Sequence, residues 1–334
     1  MKHSIRSANF DYPESLVSYA LGGLTDSFLQ LAIKTGFFSL FREHPKLTLL
    51  QISRKLKMPA PSTRVFMQYL ARLELIKYSQ NRIQLTPISR RYLLCKHQSS
   101  LAWLRHLSDL RKSPSRLNRY LKRPPEQIWH RLKREQGARK IDPAFYSGWL
   151  HARRVFWGED LARIYNFKKH IALMDLGCAS AGWSISILKR HKHLKAILVD
   201  LPEVHPFMLK EIQKAHLQRR VRLWSGSFFD VLPKGADVVL LANVLHDWNE
   251  ANIKKILRQV YRALPRRGKV LVLEFFLEDN FKGSFMALVQ ALAVLGRKGQ
   301  SGWQPTYREM RQILKECGFK TIHQKDQLIV AQKI

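Results

Sequence analysis

The stretch MDLGCASAGWS, Met174 to Ser184, decides how this chain is read. The apolar run Ile171–Leu176 predicts a buried strand, and Gly177 a backbone that turns tightly where the strand ends. A helix starting near Gly182 would point its first N–H groups at whatever sits over that turn. Strand, glycine turn and helix are the usual opening of a nucleotide-type pocket. Yet two places where such turns normally carry glycine hold Ala179 and Ala181.

Working outward, a second apolar run, Lys195–Val199, ends in Asp200, 25 positions after Asp175. A carboxylate at the end of a second strand suits a ribose diol, because it accepts two hydrogen bonds. Any buried strand needs a turn, and Asp commonly caps helices, so neither signal is specific alone. Together they indicate an adenosine-containing ligand. The chain has no GxGxxG and no GxxxxGK[ST], which speaks against a dinucleotide dehydrogenase or an NTPase.

Further strands are expected at Val221–Trp224, Asp237–Leu241 and Lys269–Phe275. Between the last two, Ile253, Ile256, Leu257, Val260, Tyr261 and Leu264 recur at helical spacing, and Pro265 and Gly268 end the helix. After a helix over Tyr307–Cys317, Lys320–His323 and Gln327–Ala331 form a terminal antiparallel pair. Such alternation predicts an open α/β sheet with its ligand at the carboxyl ends of the strands. Directly after the fourth strand stands LHDW, Leu245 to Trp248. His246 is there placed to act as a general base. Equally, it satisfies local backbone groups while Asp247 caps the next helix and Trp248 packs in the core.

The first third is helical. Leu47–Leu56 and Ser62–Leu75 read as helix–turn–helix, and Ile76–Leu85 as a hairpin around Gln80-Asn81, together a winged helix. Arg111–Lys140 holds 11 basic and 2 acidic residues and reads as a connector. The 334 residues carry Lys+Arg 58 against Asp+Glu 25, a net charge of +33. That balance predicts attraction to polyanions, or a solvated basic surface. Cys95, Cys178 and Cys317 are far apart, which suits a reducing cytoplasm rather than a disulfide framework or zinc site. No secretory signal is expected at the start, and Phe285–Gly296 is too short to span a membrane. His191-Lys192-His193 reads as solvated surface, so no metal is expected.

MDLG, VDLPEV (Val199–Val204), GSFFD (Gly226–Asp230), LHDW, the Arg262–Gly268 stretch and VLVLE (Val270–Glu274) occur in one group's order and spacing. The chain resembles the S-adenosylmethionine-dependent O-methyltransferases of the caffeic-acid and acetylserotonin type. The resemblance implies an N-terminal all-helical winged-helix domain followed by a Rossmann-like class I methyltransferase sheet, mostly parallel with an antiparallel C-terminal strand. The implied domains are a winged-helix dimerisation domain over 1–105, a basic helical connector over 106–145 and the methyltransferase domain over 146–334. It further implies a homodimer, S-adenosylmethionine as cofactor with S-adenosylhomocysteine as product, and a small aromatic or apolar hydroxyl substrate.

On the same basis His246 is the general base and Glu274 the carboxylate beside it. Asp175, Gly177, Asp200, Leu201, Ser227, Phe228 and Trp248 hold the cofactor, and Phe145, Trp149, Leu288 and Leu292 line the substrate. A phenol near pKa ~10 giving its proton to an imidazole near ~6.5 is about 5 kcal/mol uphill, so the imidazolium needs a carboxylate. This chain departs from the family at Ala179, Ala181, Ser227 and Gln304. Ser227 stands where an aspartate faces the adenine, and Gln304 where a second glutamate flanks the histidine, so catalysis is expected to suffer. DLGCASAGWS also resembles the D-L-G-x-A-P-G-G-W-S turn of heat-shock-type ribosomal-RNA 2′-O-methyltransferases, which binds the same cofactor with alanine in a glycine's place. An RNA methyltransferase, or a non-catalytic regulatory module holding nucleic acid or another polyanion, are therefore the alternatives.

Overall fold

The computed structural model describes residues 22–94, 149–278, 287, 288, 290, 291, 303–325 and 327–334. The chain forms two compact units, Met1–Asp109 and Leu110–Ile334. In the first, α1 (Gly22–Lys34), α2 (Leu49–Leu56) and α3 (Ala60–Arg72) precede a hairpin of β1 (Ile76–Ser79) and β2 (Arg82–Leu85), then α4 (Pro87–Tyr92). Thr48 and Gln51 form a capping box that starts α2, and Gln80 and Asn81 take the left-handed backbone the hairpin turn requires. Phe37, Phe38, Phe66, Ile52, Leu70 and Ile83 make this unit's core.

The second unit begins with α5 (Trp149–Ile164) and then alternates: β3 (Ala172–Leu176), α6 (Gly182–Arg190), β4 (Lys195–Asp200), α7 (His205–Lys214), β5 (Val221–Ser225) and β6 (Val238–Ala242). It continues with α8 (Glu250–Ala263), β7 (Lys269–Leu273), α9 (Tyr307–Glu316), β8 (Phe319–Lys325) and β9 (Leu328–Lys333). The sheet runs β5-β4-β3-β6-β7-β9-β8. Neighbours from β5 through β7 are parallel, and β9 is antiparallel to both β7 and β8. The chain reverses its direction of travel across the sheet between β3 and β6, so the crevice for a ligand opens at their carboxyl ends.

Alternation along the strands divides the core into two layers. Met174, Leu176, Val239, Leu241, Val270 and Val272 face Ile253, Ile256, Leu257, Ile313 and Leu314 of α8 and α9. Leu173, Leu198, Val238, Leu240 and Leu271 face Leu161, Trp183, Ile187, Met208 and Ile212 of α5, α6 and α7. Because both faces are covered, β3 and β6 are buried at every position. α5 lies against α6 at a glycine contact. A Cβ on Gly182 would come within 2.7 Å of Arg154 Cβ and 2.9 Å of the His151 carbonyl, and one on Gly158 within 2.9 Å of Ser186 Cβ. That close approach sets α5 directly beside the turn after β3. No helix among the described residues is long and apolar enough to cross a membrane.

Candidate active site

The turn after β3 is shaped as a glycine turn although it holds few glycines. Gly177 (φ 67), Ala179 (φ 49) and Ala181 (φ 59) all have left-handed backbone. For alanine that conformation costs roughly 1–2 kcal/mol each. Both methyl groups are buried, Ala181 within the α5–α6 layer, so packing offsets part of the strain. The turn is closed by hydrogen bonds from Gly177 N to the Val199 carbonyl (2.9 Å) and from Ala181 N to the Cys178 carbonyl (2.9 Å). A Cβ on Gly177 would meet Val244 at 3.0 Å and the Phe228 ring at 3.6 Å, so this floor is already filled to contact.

Asp200, at the end of β4, faces this turn. Its carboxylate accepts from Ala179 N (2.7 Å) and Leu201 N (2.8 Å). Burial pushes the Asp200 carboxyl up, while those two N–H groups and the Arg154 charge pull it back. Asp175 is buried inside the unit, accepts from the Ser184 hydroxyl (2.6 Å), and is pushed up by burial to about 7. It ties β3 to the first turn of α6. Phe228 and Phe229 pack edge-on against Trp248, with ring centroids 5.6 and 4.8 Å away. The Ser227 hydroxyl accepts from Phe229 N (3.2 Å) and so shapes its own loop.

At the carboxyl ends of β6 and β7 the histidine and the glutamate meet. His246, 4 % exposed, and Glu274, 1 % exposed, are joined by an Nδ1···Oε2 hydrogen bond of 2.8 Å. The other Glu274 oxygen accepts from Val244 N and Leu245 N, each at 2.8 Å. A carboxylate that already accepts from two backbone N–H groups favours a ring proton on Nδ1, which leaves the lone pair on Nε2. Asp247 Oδ1 lies 3.5 Å from Nε2.

The Gln304 side chain is tied to the backbone. Its Nε2 donates to the Phe275 carbonyl at 2.6 Å, while Trp303 N, one residue earlier, donates to the His246 carbonyl (3.0 Å). A glutamate here would set a carboxylate oxygen against that carbonyl, so the amide answers to this partner. Carboxylates around His246 are supplied instead by Glu274 and Asp247.

Asp175, Gly177, Asp200, Leu201, Ser227, Phe228, Trp248, His246 and Glu274 thus all lie on the loops at the carboxyl edge of the sheet or on the strand residues leading to them. Leu288 is 51 % exposed. Phe145, the Trp149 side chain, Leu292 and the Arg111–Lys140 connector lie outside the described residues. His191 and His193 are spent on the carbonyls of Ala162 and His170, and no cluster fit for a metal occurs among the described residues.

Two residues beside the turn were not legible in the sequence. His151 bonds the Ser180 hydroxyl (3.0 Å), and Arg154 donates to the Cys178 carbonyl (3.1 Å). Both come from α5, whose apolar residues follow no single stripe and whose register is therefore not readable from spacing.

Residues 127–320 match the O-methyltransferase domain family, more than half of the chain. The chain belongs to this family. Its fold is shared with the S-adenosylmethionine-dependent methyltransferase SibL, which superposes with a TM-score of 0.75 at 20% identity, over 96% of this chain and 98% of that one. Acetylserotonin O-methyltransferase of Bos taurus is 26% identical over 92% of each chain. The 3-hydroxy-5-methyl-1-naphthoate 3-O-methyltransferase of Streptomyces sahachiroi is 30% identical over 199 residues, 59% of this chain. The match spans about half, 52%, of that enzyme's length.

Proposed function

We propose that this O-methyltransferase-family chain transfers a methyl group from S-adenosylmethionine to a hydroxyl of a small aromatic or apolar molecule, with His246 as general base. The observation that carries the reading is the His246–Glu274 pair at the carboxyl edge of the sheet, next to the turn that faces Asp200. The residues present fit the cofactor. Asp200 offers a carboxylate at the strand end where a ribose diol is held, Phe228 and Trp248 offer an aromatic wall, and among the described residues Arg154 Nε is a buried donor with no partner. When bound, S-adenosylmethionine supplies an electrophilic methyl group on a sulfonium.

The chain's own part is to orient the acceptor and move its proton. Glu274 keeps the imidazole proton on Nδ1 and turns Nε2 toward the acceptor hydroxyl. His246 Nε2 would take that proton from the acceptor hydroxyl. The resulting imidazolium is balanced by Glu274 on one nitrogen and Asp247 near the other, which answers the cost of drawing a proton from a phenol. The RNA-directed and regulatory alternatives have no comparable support. Glu274 is buried and committed to three donors, one of them His246.

We also read the helix–turn–helix and hairpin of the first unit as a winged-helix dimerisation module. Exposed Leu50, Val65, Tyr78 and Ile88 support that use, and a dimeric mass by sedimentation tests it. The buried thiols of Cys178 and Cys317 are compatible with a reducing cytoplasm. The transfer reaction is tested by incubating the chain with methyl-labelled S-adenosylmethionine and a panel of phenols and hydroxylated naphthoates. Label in a methyl ether is the expected result. Binding of S-adenosylmethionine without transfer to any hydroxyl, nitrogen or carbon acceptor would count against a catalytic role.

A further inference from the structure

We propose that Arg154 is the anchor for the α-carboxylate of the cofactor's amino-acid arm. The inference rests on reading the site as an S-adenosylmethionine pocket and assigns to that pocket an anion subsite on α5. Arg154 is 8 % exposed, and its Cβ lies against the backbone of Gly182, the first residue of α6. Its Nη1 donates to the Cys178 carbonyl (3.1 Å), inside the turn after β3. Its Nε is buried and has no hydrogen-bond partner among the described residues. A guanidinium carries five N–H donors, and leaving one unspent in the interior is costly unless something arrives to accept it.

The neighbouring carboxylates do not fill that role. Asp175 is committed to the Ser184 hydroxyl, and Asp200 to Ala179 N and Leu201 N. Both feel the Arg154 charge, but among the described residues neither pairs with it directly. His151, one turn earlier on α5, faces Glu211 (3.3 Å) and Ser180 rather than the guanidinium. A buried cation with an idle donor at the lip of a ligand turn calls for an anion. S-adenosylmethionine has one. Its sulfonium and ammonium are cations and its adenosine is neutral, so only the carboxylate answers, and guanidinium–carboxylate pairs are among the strong charge-assisted contacts. Asp200 and Arg154 then hold opposite ends of one ligand, across the turn at Gly177–Ala181.

The test is calorimetry on the full chain with three ligands. They are S-adenosylmethionine, its decarboxylated form (which keeps the sulfonium and the amine), and methylthioadenosine, which lacks the amino-acid arm. The native protein is expected to bind S-adenosylmethionine roughly 10- to 100-fold more tightly than the decarboxylated form. Arg154→Met should bring those two affinities together and leave methylthioadenosine binding within about twofold of the native value, as for a lost single contact. Arg154→Lys should restore part of the preference. Equal binding of the two sulfonium ligands by the native protein overturns the proposal, as does an equal loss of S-adenosylmethionine and methylthioadenosine in Arg154→Met. If that variant does not fold, the native ligand pair and the lysine variant still decide. Failure of the native protein to bind any of the three would instead remove the cofactor reading itself.

Discussion

Two histidine–carboxylate pairs sit at opposite edges of one sheet, built alike and put to different uses. At the amino edge, His170 Nδ1 bonds Asp237 Oδ2 (2.6 Å), and Asp237 Oδ1 accepts from Ile171 N (2.9 Å) and Ala172 N (2.8 Å). At the carboxyl edge, His246 Nδ1 bonds Glu274, which likewise accepts from two backbone N–H groups. The difference lies at Nε2. In His170 it is locked to the Tyr165 hydroxyl at 2.8 Å, and burial holds that phenol well above its ordinary pKa, so its proton stays. At His246, Asp247 Oδ1 lies 3.5 Å from Nε2. The first pair is a clamp between the starts of β3 and β6. The second stands at the carboxyl edge, among the loops of the candidate site.

Breaking each pair should separate the roles. His246→Ala is expected to lower turnover by roughly 10²–10⁴-fold while leaving S-adenosylmethionine affinity unchanged, read by label transfer and calorimetry. His170→Ala should leave turnover per folded molecule at the native level. Equal losses in the two variants would erase the distinction. Asp237→Ala, which strips three donors of their acceptor at the amino edge, should cost about 3 kcal/mol in urea unfolding with activity preserved.

A third carboxylate sharpens the contrast by its pH response. Asp175 has no histidine and is raised to about 7 by burial, from an ordinary 3.8. The native state therefore holds its proton through a window in which the unfolded chain has lost it. Its contribution to stability falls as pH rises from about 4 to about 7. Asp175→Asn should remove that slope in unfolding titrations while the slope persists in the native chain. Smaller still is the turn. Gly182→Ala should cost about 1–3 kcal/mol by forcing α5 away from α6. Ala179→Gly should change stability by less than ~1 kcal/mol, because relief of left-handed strain is offset by the flexibility of glycine.

The order of strands, the helices over Glu250–Ala263 and Tyr307–Glu316, and the turn after β3 were readable because period, caps and breakers agree locally. The alternatives at LHDW were not separable in the sequence. Whether His246 meets Glu274 depends on β6 and β7 being neighbours, a fact of sheet order. The partner of the Gln304 amide, the Phe275 carbonyl, is likewise not revealed by the sequence. Ala179 and Ala181 stand where such turns normally carry glycine, and the backbone takes the glycine conformation at both. His170, Tyr165 and Arg154 carried no motif at all. Each gains its partner from an element distant in sequence or from a helix face that spacing leaves undefined.

If the carboxyl edge of this sheet holds S-adenosylmethionine beside His246, the full chain should bind both S-adenosylmethionine and S-adenosylhomocysteine. Titrating the chain with each in a calorimeter decides it. Micromolar binding of both is expected; no heat of binding at millimolar ligand would refute the site.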